Sequence, residues 1–437
     1  MSDSKLFNRN YLLLFQGQTV SHIGTAMSMA AMLFWLKNIS ESALLVSLLG
    51  VAAIVPGMIL NPFGGVLADN VSRKKIIVIG DIAIGVANVA FGCMMFFELL
   101  PNSTIIVLAF FITAFGGCVG AFFGPASTAL LPDIVPKDKL APASGALDGI
   151  TQGSKLIGNI LGGVLYRVIG APLTIIVDGI TYIFSGISES FISVEESHNT
   201  KSKEKQEVRK IFSKIRSDLI GGVKHVKGNK KLIMLLVCSV IAEVPFAPLV
   251  IVLPFYVENT LGVTSDWYGF IVAALFVGVI LGNVLSGFIK IADENKKHAV
   301  WLSIVGAGAG LMLLGTANGP VVSLAYICLS GLFLGYLAVV VKVGIQINTP
   351  SEFKGRVFGL LNSLTSVIIL FNVVISGILI DQLGQDMSRF FLVGGLVVAS
   401  FSLLVMFSRD LKLAFCDTSA TATDDEVTGD SLAANEG

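Results

Sequence analysis

The chain has 437 residues, 54% of them hydrophobic and only 14% charged, whereas a soluble globular domain carries about 25% charged residues. Water is therefore not its solvent, and no nucleic-acid partner is expected. The formal net charge of zero says nothing about orientation, which depends on where Lys and Arg lie.

Hydropathy resolves into stretches long enough, at about 1.5 Å per residue, to cross a hydrocarbon core of about 30 Å. Twelve are predicted, near 11-36, 42-68, 76-98, 104-131, 145-169, 172-193, 232-257, 267-290, 298-317, 321-347, 357-380 and 389-408. Span 1 follows a short head with Lys5 and Arg9, and carries Gln18, His22, Thr25 and Met29 on one polar face. It is too long and too punctuated by glycine for a signal-peptide core, so it is expected to remain in the protein. Spans 3 and 6 carry Asp81 and Asp178, for which structural hydrogen bonding is expected. In span 5, Asp148, Gln152, Lys155 and Asn159 recur at helical spacing and share a face. Span 7 carries Glu243 near mid-depth. In span 10, Gly331, Gly335, Ala338, Lys342 and Gln346 share a face that is expected to point into protein.

Of the 30 Lys and Arg, 25 fall in the head, the tail and the loops after even-numbered spans. The opposite side receives only Lys37, Arg167 and Arg389, and Lys155 and Lys342 lie inside spans. This places both termini in the cytoplasm of a bacterial inner membrane. Cys93, Cys118, Cys238, Cys328 and Cys416 have neither disulfide-framework nor metal-site spacing and read as packing residues.

The long hydrophilic stretch divides the spans six and six, giving a bundle over 1-194, a linker over 195-231, a second bundle over 232-408 and a disordered cytoplasmic tail over 409-437. Within the linker, Val208, Ile211, Phe212, Ile215, Leu219, Val223 and Val226 predict an amphipathic helix on the membrane surface. The halves also repeat. Pro136, Gly145, Leu147, Thr151, Gly163 and Leu165 recur as Pro350, Gly359, Leu361, Thr365, Gly377 and Leu379 at one offset of 214, which pairs span 5 with span 11.

The loop after span 2 contains Gly65, Leu67, Asp69, Arg73 and Lys74 at the spacing of the loop 2-3 signature of the major facilitator superfamily, which it resembles. Asn70 and Ser72 depart from that signature. The equivalent loop after span 8 has Ile291 in place of the Asp. Gly145, Gly158, Asn159, Gly162 and Gly163 resemble the antiporter motif of the same family, with Ser154 for a Gly and Asn159 for a Pro. Phe123-Gly124-Pro125-Ala126, the stretch from Leu131 to Pro136, Val177-Asp178-Gly179, Leu253-Pro254 and Gly355-Arg356-Val357-Phe358 are similar to the macrolide-efflux-like branch, which includes siderophore exporters.

The resemblance implies an all-α membrane protein with twelve transmembrane helices in two pseudo-symmetric six-helix bundles. It implies gating by Gly65, Asp69, Arg73, Lys74, Gly355 and Arg356, with Asp69 and Arg73 latching the halves at the start of span 11. With spans 1, 4, 7 and 10 lining a cavity and span 5 adjacent, His22, Lys155, Glu243 and Lys342 are proton-coupling candidates around one chamber. Gln18, Gln152, Phe34, Phe123, Phe246 and Tyr336 are candidates for its wall, and Phe255 could join them. The expected function is export of an amphipathic small molecule, drug-like or natural-product, by alternating access and proton antiport, as a monomer among membrane lipid. A siderophore or lysophospholipid carrier is the alternative, and a non-transporting receptor a remote one. No phosphate loop, catalytic triad or metal-spaced His cluster occurs, so neither an enzyme nor a resident cofactor or metal is expected.

Overall fold

The computed structural model describes residues 7-194, 220-243, 246, 248-289, 291-384 and 386-415, except for the side chains of Val66, Asp69, Asn70, Ala242 and Val250. All regular structure among the described residues is helical, as hydrocarbon requires of a chain whose backbone must satisfy its own hydrogen bonds.

The first four helices are α1 (Arg9–Ser40), α2 (Ala43–Asn70), α3 (Arg73–Phe96) and α4 (Asn102–Ile134). Polar residues stand where they begin. Asn8, Ser42 and Ser72 each accept a hydrogen bond from the backbone N–H three residues on, which satisfies one of the free donors of a helix N-terminus. The long helix Leu140–Ser190 is bent at Gly170, whose φ of 77° is accessible to glycine and strained for other residues. Pro172 follows, and the bend makes two legs, α5 (140-169) and α6 (171-190). Then come α7a (Lys230–Glu243), α7b (Leu249–Phe255) with a π turn Tyr256–Thr260, α8 (Asp266–Phe288), α9 (Asp293–Gly315), α10 (Pro320–Ile347), α11 (Lys354–Gln382) and α12 (Met387–Phe407).

Ten described helices are long and apolar enough to cross a membrane, and one of these contains both α5 and α6. The remaining crossing is span 7, which the sequence predicts as one helix and the structure breaks after Glu243. Pro248 lies in the interruption, where it can neither donate a backbone hydrogen bond nor let the preceding turn continue unbent. The described residues thus account for twelve crossings.

Contacts divide the chain into two compact units. The first comprises Met1–Lys205, Val250–Ala273 and Val373–Met387, and the second Gln206–Leu249, Ala274–Asn372 and Ser388–Gly437. In the first unit small residues bring helix backbones together. Cβ atoms added at Gly158 and Gly162 of α5 would lie 2.6 and 2.7 Å from the Ile23 and Met27 carbonyl oxygens of α1, closer than real Cβ atoms come. The second unit has a core of Leu232, Leu235, Val300, Ile304, Leu337, Val341, Ile345 and Val357.

Two expectations need correction there. The tail was expected to be disordered from 409, but 409-415 is helical, and Leu411, Ala414 and Phe415 are buried because their apolar side chains complete that core. The face of α10 was expected to point into protein throughout. Gly331 and Gly335 do so, docking on Leu275 and Val279 of α8, whereas Lys342, two turns on, is exposed beyond that seam. Most of the expected linker helix, and 416-437 of the tail with Cys416, lie outside the described residues. Residues 220-227 are helical.

Candidate functional site

At the end of the first unit that carries the α1–α2 loop, six helices are joined by polar contacts. Lys37, near the C-terminus of α1, places Nζ 2.5 Å from Glu258 Oε2 in the turn after α7b, and its ammonium lies 5.5 Å from the centre of the Phe255 ring. The Lys37 side chain is only 7% exposed, so this pair is largely removed from solvent. Asp381 at the end of α11 receives the backbone N–H groups of Ala43 and Leu44 at 2.7 and 3.1 Å and the Ser42 hydroxyl at 3.0 Å. A carboxylate there meets the free donors and positive dipole end of α2. Arg167 of α5 donates at 3.4 Å to Asp266, the first residue of α8, and Ser265 donates to the Gly163 carbonyl at 3.0 Å.

These joints obey the sequence repeat. A Cβ at Gly163 would strike the Ser265 carbonyl oxygen, and one at its repeat partner Gly377 would strike the Ser47 hydroxyl. One glycine seats α5 on the start of α8; the other seats α11 on the start of α2. Arg167 and Asp381 stand at the same offset and each holds the N-terminal end of the same partner helix. By contrast Gly145 and its partner Gly359 have nothing within 4 Å. The antiporter-like motif is therefore heterogeneous: Gly158 and Gly162 serve the α1 seam, Gly163 the α8 joint, and Gly145 neither. Asn159 donates to the Lys155 carbonyl at 2.7 Å and accepts from the Tyr268 hydroxyl at 3.4 Å.

Removing one partner of a buried ion pair costs about 3 to 5 kcal/mol, because the other charge is left uncompensated. Lys37→Met is accordingly expected to loosen this end. A cysteine placed at Ser265, which is 4% exposed, should react with a polar maleimide faster in the Lys37→Met background than in the parent, with the native cysteines removed from both. Equal labelling rates would show that Lys37 does not hold the joint.

At the opposite end, Arg73 ties three helices together. It donates to the Asp133 carboxylate at 2.6 Å and to the Ala129 carbonyl at 2.9 Å of α4, and to the Ala68 carbonyl at 3.4 Å of α2. Asp69 lies on α2, but its side chain is outside the described ones, so the latch expected between Asp69 and span 11 is not described. Lys74 is half-buried, and nothing lies within 4 Å of a Cβ at Gly65 or Gly355. In the second unit Arg356 lies 5.7 Å from the Phe353 ring, which stacks at 4.4 Å on His225, and Gly222 approaches the Arg356 carbonyl.

The ionisable candidates fall in both units. His22 is half-buried and Lys155 is close enough to act on it electrostatically. Gln152 and Lys155 are exposed on α5, as are Glu243 and Lys342 in the second unit. Glu243 and Lys342 take part in no ion pair among the described residues, and Glu243 is the last residue of α7a, at the break. The wall candidates separate. Gln152 is open, while Phe123, Phe246 and Tyr336 are partly buried. Gln18 is buried and donates to the Ser127 hydroxyl at 2.6 Å. Phe34 is fully buried, stacked on Tyr166 at 5.3 Å and edge-on to Tyr268 at 5.4 Å, and Phe255 is fully buried as well. Phe34 and Phe255 therefore pack the joints and, being fully buried, present no face to a solute.

Asp178 of α6 accepts from Ser28 of α1 at 2.7 Å and Asn88 of α3 at 2.9 Å, binding three helices through one carboxylate. Tyr182 shares a hydrogen bond with Thr25 at 2.8 Å. Sequence reasoning missed Glu189, although Asp178, Tyr182, Ser185 and Glu189 follow the same i, i+4, i+7, i+11 spacing that marked span 5. It also missed Glu258, Asp266 and Asp381. Among these only Asp381 had a signal, its place opposite Arg167 in the repeat.

Residues 14–371 match the family model of the Major Facilitator Superfamily. The chain is 22% identical over 404 residues to Macrolide efflux protein A of Streptococcus pyogenes, covering 92% of this chain and 96% of that one. It is 27% identical over 161 residues to Quinolone resistance protein NorA of Staphylococcus aureus, covering 37% and 39% of the two chains. Its fold is similar to that of a bacterial homolog of the human lysosomal transporter Spinster, solved in an inward-facing and occupied conformation. That match has a TM-score of 0.67 and 14% identity over 91% of this chain and 96% of that one.

Proposed function

The chain belongs to the Major Facilitator Superfamily, and from that membership we propose that it is a secondary active exporter of amphipathic, drug-like or natural-product molecules, working by alternating access and proton antiport. It is a multi-pass membrane protein, and the proposal places both termini in the cytoplasm and the α1–α2 loop outside. The halves that alternate are 1-194 and 232-408, joined by the linker.

The observation that carries this reading is the pair of repeat-related joints at the α1–α2 end. Each is made of a glycine close approach and a charged residue holding a helix N-terminus, so the joints are close-packed enough to exclude water and polar enough to separate. In the proposed cycle they form the outer gate, made while the site faces the cytoplasm and parted when solute leaves. Parting them exposes charges that water solvates well, which keeps the open state within a few kcal/mol of the closed one. Arg73, engaged with Asp133, belongs to the opposite gate. The efflux and resistance names of the relatives favour export over import.

Glu243 is the proposed proton carrier. Transporter folds place ion and substrate sites at interrupted helices, and Glu243 stands at such an interruption without a described counter-ion. The gradient would load it from one side and discharge it to the other, with Lys342 of the same unit as a group that biases its charge state. Accumulation of a panel of macrolides, fluoroquinolones, siderophores and lysophospholipids in cells with and without the protein tests the reading. Lower accumulation of an amphipathic drug is expected; a change confined to siderophores or lysophospholipids would move the assignment to the alternative class.

A further inference from the structure

The core where α1, α3 and α6 meet holds carboxyl groups for which the proposed cycle has no use. Asp81 of α3 is 1% exposed and Glu189 of α6 is fully buried. A Cβ at Gly186 would lie 3.4 Å from Asp81 Cβ, which seats Asp81 on the turns of α6 that carry Ser185 and Glu189, and the two carboxyls act on one another electrostatically. Asp81 Oδ2, both Glu189 oxygens and Ser185 Oγ lack a hydrogen-bond partner among the described residues, although each is enclosed. Gly17 of α1 completes the enclosure: a Cβ there would lie 2.8 Å from Ser185 Oγ and 3.3 Å from Glu189 Oε1.

Among the described residues the surroundings supply no compensating charge. Besides Gly17, α1 contributes Gly24, Thr25 and Ser28, and α4 faces the neighbouring Gly80 with Val119. The other ionisable groups of this core are on α6: Asp178, whose Oδ2 accepts two hydrogen bonds while its buried Oδ1 has no partner among the described residues, and Tyr182, which shares a hydrogen bond with Thr25. No Lys, Arg or His is among the described groups that act on Asp81, Asp178 or Glu189. Arg73, at the start of α3, is engaged with Asp133.

Two ionised carboxylates that act on one another in this enclosed core without a cation would add mutual repulsion to the several kcal/mol that desolvates each of them. Ionised carboxylates only accept hydrogen bonds, so a bond between two carboxyls exists only when one carries a proton. We propose that Asp81 and Glu189 form a proton-binding site, holding one proton between their carboxyl groups, and that the proton leaves when α1 separates from α3 and α6 at Gly17. The site is distinct from Glu243. It couples proton occupancy to helix packing inside the first unit, and neither its existence nor its test depends on the direction or substrate of transport.

The test uses the purified full-length protein in detergent. Infrared spectra near pH 7 should show a protonated-carboxyl C=O band in the wild type that shifts in D2O and is absent from the Asp81→Asn/Glu189→Gln double variant. The folded pair holds a proton that the same carboxyls release in the unfolded chain at neutral pH, so folding takes up a proton and rising pH opposes it. The wild-type apparent melting temperature should therefore fall between about pH 6 and about pH 9, and that of Glu189→Gln should fall less. Glu189→Gln keeps a donor against Asp81, so it also serves if the double variant does not fold. Identical carboxyl bands in wild type and double variant, or identical pH slopes in wild type and Glu189→Gln, overturn the proposal. So does a sodium-dependent rise in melting temperature found in the wild type only, which would make the pair a metal-cation site. Since neither readout involves solute, a missing band with intact pH-driven efflux refutes this site alone, and a present band without efflux refutes the exporter reading alone.

Discussion

Glu243→Gln is expected to abolish the gradient-driven component of the proposed efflux while leaving the protein inserted, folded and able to exchange solute down its own gradient. Gln matches Glu in size and hydrogen-bonding reach but cannot carry a proton, so the variant removes one chemical capability and little packing. A carboxylate at membrane depth costs about 2.5 to 3.5 kcal/mol on insertion scales. In this chain that cost falls at the end of α7a, where the helix is interrupted and no described cation offsets the charge. The check is a pair of assays on one preparation: uptake driven by an imposed pH gradient, expected to drop to the protein-free background, and solute counterflow without a gradient, expected to persist. Unchanged gradient-driven uptake would remove Glu243 from the coupling step.

The second large effect is expected at the repeat-related glycines. Gly163→Leu forces a side chain against the backbone of Ser265 and Asp266, where a Cβ alone would lie 3.2 and 3.3 Å from the Ser265 carbonyl carbon and the Asp266 Cα. Gly377→Leu does the same against Ser47 Cβ at 2.8 Å and the Ala43 carbonyl oxygen at 2.9 Å. Overpacking of this kind costs about 1 to 3 kcal/mol, which lowers the population of the state with both joints made by roughly 5- to 150-fold. Both variants should lose most transport and label readily at a reporter cysteine at Ser265 in Gly377→Leu, or at Ser47 in Gly163→Leu. Gly145→Ala and Gly359→Ala, which belong to the same sequence repeat but meet no neighbour within 4 Å, should transport like the parent. If all four behave alike, the joints are not the outer gate.

The spans were legible because hydropathy integrates over some twenty residues, and a single polar residue barely alters the sum. What interrupts a span was less legible. The boundary between predicted spans 5 and 6 falls where the structure bends at Gly170, whereas the break after Glu243 was read through because hydropathy sums over a window and does not weigh the missing backbone donor of Pro248. Side chains on one helix face could be grouped from spacing alone, which worked for Gly158 and Gly162 on α5. It failed for Lys342, since spacing cannot say where a neighbouring helix stops covering a face.

The joints themselves connect residues more than 200 positions apart, such as Lys37 with Glu258 and Ser42 with Asp381, and nothing local announces such pairs. The repeat carried the only long-range information, and it extends to Arg167 and Asp381. Glu189 was missed for a different reason. It sits near the end of span 6, where a carboxylate reads as an interfacial residue, and only the packing of α1 across α3 and α6 encloses it.

The most direct measurement of the central claim is transport by the purified protein in proteoliposomes, with an erythromycin-like macrolide and a fluoroquinolone as solutes and a pH gradient imposed across the vesicle membrane. The expected result is solute accumulation on the acidic side in exchange for protons moving down their gradient. It should be accompanied by solute-dependent alkalinisation of the acidic compartment, and both should vanish when a protonophore collapses the gradient. Accumulation that persists without the gradient, or proton movement that does not respond to solute, would contradict a proton-coupled exporter.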